Sequence, residues 1–128
     1  MIRDAIKQAE EIARTALEQT YEGLCTIIEY HDVTDEKTKL SGEQEVVVLK
    51  DKPCKLSFEK LDAAVQTETA TVVSQGIKLF IAPEINVNSG SKIIVTQDGV
   101  TGEYSASGKP AMYCTHQEIM LKLFRRWA

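Results

Sequence analysis

The stretch Gly76–Val100, GIKLFIAPEINVNSGSKIIVTQDGV, decides the fold. Ile77, Leu79 and Ile81 alternate with Lys78 and Phe80 as far as Pro83, which is the period of a half-buried strand. Ile85 and Val87 follow, and Asn88-Ser89-Gly90 marks a turn. Ile93-Ile94-Val95 reads as another strand. Asp98-Gly99 is the strongest hairpin signal in the chain, because a type I′ hairpin turn needs positive φ at both central positions. Val100 to Ser105 is then the returning strand.

Working outward, the same grammar continues on both sides. Upstream, Pro53 leads into Cys54-Lys55-Leu56-Ser57-Phe58-Glu59, whose alternation predicts Cys54, Leu56 and Phe58 inside. Glu45 to Leu49 is a strand before it, with Asp51-Lys52-Pro53 as the turn between. Leu24 to Tyr30 is apolar and β-branched, as a buried strand requires. Asp32 to Gln44 is polar, carries both charge signs and contains Ser41-Gly42, so it reads as an exposed loop. Lys60 to Gln75, made mostly of Ala, Thr, Val, Gln and Glu, reads as an extended excursion. Downstream, Ser107-Gly108-Lys109-Pro110 breaks the chain before Ala111 to Ala128. That last segment has two readings. Thr115 and Glu118 stand at capping-box spacing for a helix, while Ile119, Leu121 and Leu123 alternate as a strand. The strand is preferred.

The N-terminal segment differs from all of these. Between positions 2 and 20 the apolar residues Ile2, Ala5, Ile6, Ala9, Ile12, Ala13, Ala16 and Leu17 recur at threes and fours, one face of a helix. Lys7, Glu10, Glu11, Arg14 and Glu18 fill the remainder. The Ala-rich face suits close approach by a neighbour, either this chain's own domain or an adjacent subunit. The whole is mainly β with an N-terminal α-helix, a small antiparallel β-barrel or sandwich. It forms one domain over 1–128, with the helix at 2–20 and the barrel at 22–128 carrying a long loop at about 60–76.

Composition narrows the chemistry. The 128 residues fit one domain, and 43% hydrophobic residues with 6% aromatics predict a mostly aliphatic core. A net charge of -4 argues against tight sequence-independent nucleic-acid binding, which needs cations along the phosphates. Cys25, Cys54 and Cys114 match no metal or CxxC spacing and read as reduced thiols. The start reaches Arg3 and Asp4 at once, so no signal peptide is expected, and no apolar run approaches a membrane span.

Each catalytic candidate is incomplete. His31-Asp32 is a dipeptide that metal-dependent phosphohydrolases use as ligands, but His116 is the one other histidine and cannot fill such a site. On a strand, Cys114, His116 and Glu118 would share a face, yet no oxyanion element or third triad member accompanies them. They read better as a polar patch. Phosphate loops, HExxH and calcium loops are absent from the sequence, so no metal or cofactor and no small-molecule substrate is expected, and the chain is read as not an enzyme. Arg125-Arg126-Trp127 has the composition that anchors protein interfaces. The binding-module alternative is an OB-like barrel for single-stranded nucleic acid, for which aromatics are few and the charge is wrong.

Three phrases taken together carry a resemblance. They are Pro53-Cys54-Lys55-Leu56-Ser57-Phe58, the run Ile77 to Gly99, and SGKPAMYCTHQEIMLKLFRRWA from Ser107 to Ala128. In this order, after a short helix, the chain resembles the small head–tail connector (head-closure, stopper-like) proteins of tailed bacteriophages and prophages. The resemblance implies a non-enzymatic β-barrel that assembles as a ring homo-oligomer under the portal. Such a ring closes the head, retains DNA and docks the tail. Portal, adaptor and tail proteins are the implied partners, with transient contact to packaged DNA and none to membrane. The location would be the bacterial host cytoplasm during assembly and then the virion connector. By position, Thr67, Glu68, Thr69, Ala70 and Thr71 correspond to a channel-facing loop. His116, Glu118, Arg125, Arg126 and Trp127 are the candidate subunit contacts.

Overall fold

The structure is a computed structural model that describes residues 2–34, 36–38, 41–60 and 75–127. One helix, α1 (Ile2–Glu18), precedes six strands: β1 (Gly23–Thr34), β2 (Ser41–Lys60), β3 (Gln75–Ile81), β4 (Lys92–Gln97), β5 (Val100–Met112) and β6 (Gln117–Leu123). The strands pair antiparallel in the order β1-β2-β3-β6-β5-β4 and close into a barrel. Closure gives the sheet one interior, and the alternating aliphatic residues fill it. Leu79, Ile81, Ile93 and Ile119 are fully buried, and Cys25, Ile27, Cys54 and Val95 complete the floor. Tyr104 is the one buried aromatic among the described residues, as the scarcity of aromatics implies. A Cβ at Gly102 would come within 2.7 Å of the Tyr104 hydroxyl, so the ring lies where only glycine leaves room.

The β4–β5 hairpin is the one the sequence announces. Gln97 pairs with Val100, and Asp98 and Gly99 both have positive φ, 53° and 77°. The other expected turns come out differently. Asp51-Lys52-Pro53 does not reverse the chain: β2 runs unbroken through it, with Asp51 in the left-handed region at φ 53° and pairing irregularities against β1 between Cys25 and Ile28. These bulges bend β2 so that its first half pairs with β1 and its second half with β3. The segment 32–44 is likewise not a loop throughout, because β1 extends to Thr34 and pairs there with Ser41. Ser107 to Pro110 does not end a strand either. β5 continues across a bulge in which Gly108 has φ 76°.

Phe58 corrects the inside–outside prediction. It stands opposite Ile77 and so has the inward orientation, but it is 54% exposed. The β3–β6 pairing begins at Ile77, which leaves Phe58 at the rim of the barrel. The strands at this end reach Lys60 and Gln75, which pair with each other, so the excursion is shorter than 60–76. Residues 61–74, including the candidate channel residues Thr67 to Thr71, lie outside the described residues.

At the Phe58 end of the barrel β1 starts at Gly23, opposite Cys54, and β2 runs on to Lys60 without that neighbour. The Gln97 side chain takes the missing strand's place. Its Oε1 accepts from the Leu56 N–H at 2.8 Å, and its Nε2 donates to the Leu56 carbonyl at 3.2 Å. Gln117, also buried, donates from Nε2 to the Ala82 carbonyl at 2.8 Å and so fastens the loop after β3.

Helix α1 ends at Glu18, and the chain turns out through bonds from Thr20 N–H to the Leu17 carbonyl and from Tyr21 N–H to the Glu18 carbonyl. It contributes no buried residue. Its link to the barrel is polar: Arg14 pairs with Glu18 at 2.8 Å on the helix and with Glu84 in the loop after β3. Among the described residues no helix is long and apolar enough to cross a membrane.

Candidate functional site

Strand β6 begins at Gln117, so Cys114 is not on a strand with His116 and Glu118 as the alternation implies. Cys114 lies exposed in the turn between β5 and β6, a turn closed by a bond from the Tyr113 N–H to the His116 carbonyl at 2.9 Å. His116 and Glu118 do come together. The imidazole Nε2 lies 2.9 Å from Glu118 Oε2, and Nδ1 lies 3.0 Å from the Thr115 hydroxyl. Lys78 on β3 approaches the same carboxylate at 3.4 Å. The hydrogen bond from His116, reinforced by Lys78, holds the Glu118 carboxyl below the usual glutamate range.

Aromatic rings frame this cluster. Tyr113 stacks on the imidazole with centroids 4.8 Å apart, and Phe80 tilts against it at 5.7 Å. Phe80 pairs with Glu118 and Lys78 with Met120, while Ala111 and Ser107 on β5 flank them. The outer face of β3–β6–β5 is therefore a semi-apolar surface built around a satisfied ionic cluster. Both ring nitrogens of His116 thus have polar neighbours within hydrogen-bond distance, and two aromatic rings fix the imidazole's position. Phe80, Lys78 and Tyr113 were not singled out from sequence. The signal existed for two of them: alternation that sends Ile77, Leu79 and Ile81 inward sends Lys78 and Phe80 outward.

The C-terminal residues form a second surface. Trp127 stacks on Tyr30 with centroids 5.0 Å apart and planes 7° apart, and its Nε1 donates to Glu45 at 3.1 Å. Phe124 meets Trp127 edge-on, and the Lys92 ammonium sits 4.7 Å from the Phe124 centroid while pairing with Glu45 and Glu103. The bonds from Trp127 and Lys92 depress the Glu45 carboxyl. Trp127 is thus docked on its own barrel, whereas Arg125 and Arg126 are exposed beside it. His31 lies farther out on β1, paired with Gln44 and 3.3 Å from Glu29.

The buried thiols belong to the core. A hydrogen bond with Cys54, together with burial, pushes the Cys25 thiol up. Among the described residues no cluster of His, Cys, Asp and Glu could hold a metal ion.

No family model matches the chain. No curated protein matches it either. Among solved structures, it overlays on the phage-like element PBSX protein xkdH from Bacillus subtilis with a TM-score of 0.45 and 11% identity, covering 78% of this chain and 91% of that one. At that overlap, what this chain does has to be argued from its own residues.

Proposed function

We propose that this chain is a non-enzymatic structural subunit of a phage or prophage head–tail connector, one that joins copies of itself into a ring beneath the portal. In that setting it closes the head, retains the packaged DNA and offers a docking surface to the tail. The observation that carries the reading is the uncovered apolar face of α1. Ile2, Ile6 and Ile12 are 80%, 52% and 71% exposed on a helix that its own barrel holds only through its polar flank. A soluble chain that presents such a face is built to be covered by another. The sequence resemblance supports the same reading, since its phrases fall on β2, β3, β4, β5 and β6, five of the six strands of the barrel wall. The wall's interior is filled with aliphatic side chains, which suits a scaffold.

The deciding experiment is size-exclusion chromatography with light scattering, first alone and then with the portal protein encoded nearby. A small species alone that enters a ring-sized complex with the portal is the expected result. A chain that stays apart from the portal at every concentration overturns the reading. Tight, salt-sensitive binding to single-stranded DNA in a filter assay would replace it with the nucleic-acid module.

A further inference from the structure

We propose that the apolar face of α1 packs, head to tail, on the outer β3–β6–β5 face of a second copy of this chain. The inference rests on the ring-forming reading and names the two surfaces that would meet.

Among the described residues, two of the uncovered apolar surfaces lie on different elements and match in kind. The first is α1, where Ala5, Ala9 and Ala13 lie between the exposed isoleucines and make a smooth track for close approach. The second is the sheet face around His116, where Tyr113 is 52% and Met120 43% exposed beside half-buried Phe80. Tyrosine, phenylalanine and methionine are the side chains enriched where protein surfaces meet, and methionine adapts to the shape laid on it.

These surfaces cannot meet within one molecule. Arg14, on the polar flank of α1, is tied to Glu84 in the loop after β3, so the flank faces the barrel and the isoleucines face away. Two different patches that complement each other on one chain make a heterologous contact. Such a contact leaves one patch open at each end of a row, and closing the row into a ring covers both.

Area favours a sheet over a second helix as the occupant. A 17-residue helix is about 26 Å long. One stripe of that length against an identical stripe is small beside the roughly 800 Å² per partner of a standard interface. A flat face three strands wide also reaches the flanks of the stripe, which a second cylinder does not, and it carries charge for register. Arg3 and Glu10 border the helix's apolar face, while the Lys78–Glu118 pair and Lys122 lie on the sheet face, so each side presents both signs.

Cys114 provides the test, because it is exposed at the edge of the sheet face while Cys25 and Cys54 are buried. Single cysteines at Ile2, Ile6, Ala9 or Ile12 would be oxidised mildly and run on non-reducing gels, with Lys7→Cys and Glu11→Cys on the opposite helix face as controls. All these positions are exposed, so folding is not at stake. The expected result is a ladder beyond the dimer from at least one apolar-face variant, absent from both controls and lost on adding Cys114→Ser. Links that stop at the dimer and survive Cys114→Ser would mean helix-to-helix pairing and overturn the inference. So would a ladder equally strong from the controls. The same oxidation in the portal complex separates the two claims. A chain that enters that complex without linking to Cys114 refutes the helix–sheet contact and leaves the ring reading intact. A chain that never enters it refutes the ring reading, and the ladder of the protein alone then decides the contact.

Discussion

The barrel interior and helix α1 use the same side chains to opposite ends. Ile81, Ile93 and Ile119 have no exposed surface, whereas Ile2 and Ile12 keep 80% and 71% of theirs. In the barrel, the inward positions away from the rim are covered by strands of the same chain. On the helix, none of the described residues covers the apolar face. Burial therefore follows from what the fold places opposite a residue, not from the residue itself.

The comparison breaks most sharply under truncation. Leu79→Ala opens a cavity in a packed interior and should cost about 2–5 kcal/mol, read from urea unfolding. Ile12→Ala in the free protein should stay within about 0.5 kcal/mol, because no partner atoms are lost. A cost at Ile12 equal to that at Leu79 would show that the helix is covered in the single chain. Next in size is Gln97→Ala, which strips the Leu56 N–H and carbonyl of their partner and should cost about 1–3 kcal/mol. A neutral result would mean that water replaces the amide and the barrel end is open.

Smaller effects come from the charged surfaces. Glu118 has a depressed carboxyl, so its contribution is present above the ordinary glutamate value of about 4.3 and is lost as pH falls through the lower folded value. Unfolding measured from neutral to acid pH should thus show a shallower loss of stability for Glu118→Gln than for the parent. Parallel curves would remove the His116–Glu118–Lys78 cluster from the account. Among the charged residues, Arg14→Ala should change stability by no more than about 1 kcal/mol, since the Arg14–Glu84 pair is exposed and screened. It should nonetheless release the helix's orientation. Spin labels at Ile6→Cys and Lys55→Cys, in a Cys114→Ser background, would gain a broader distance distribution, and an unchanged one would show that another contact orients the helix.

Much of the barrel was legible because alternation is a local signal. Ile77, Leu79 and Ile81, or the Asp98-Gly99 turn, need no knowledge of the rest of the chain. The errors fall where long-range pairing overrides a local cue. Asp51-Lys52-Pro53 has turn composition, yet Lys52 and Pro53 pair with Cys25 and Leu24 of β1 and the strand runs on through them. Phe58 alternates correctly and is still exposed, because the barrel wall stops at Ile77. The candidate surface was half legible. His116 and Glu118 share a short sequence interval, but Lys78 and Phe80 reach them only through the β3–β6 register. Trp127 could be flagged from composition, but its seat on Tyr30 and Glu45 depends on the β1–β2 hairpin.

The continuity of β2 gives the molecule a mechanical axis. Its 20 residues, at about 3.3 Å each, amount to roughly 65 Å of contour. One end lies in the β1–β2 hairpin, the other at Lys60 beside Gln75. A pull between those ends runs along the strand, so the backbone bonds to β1 and β3 bear it in shear, many at once, instead of opening one after another. Asp51 and the neighbouring bulges are the compliant point of this tie, where tension would first straighten the bend.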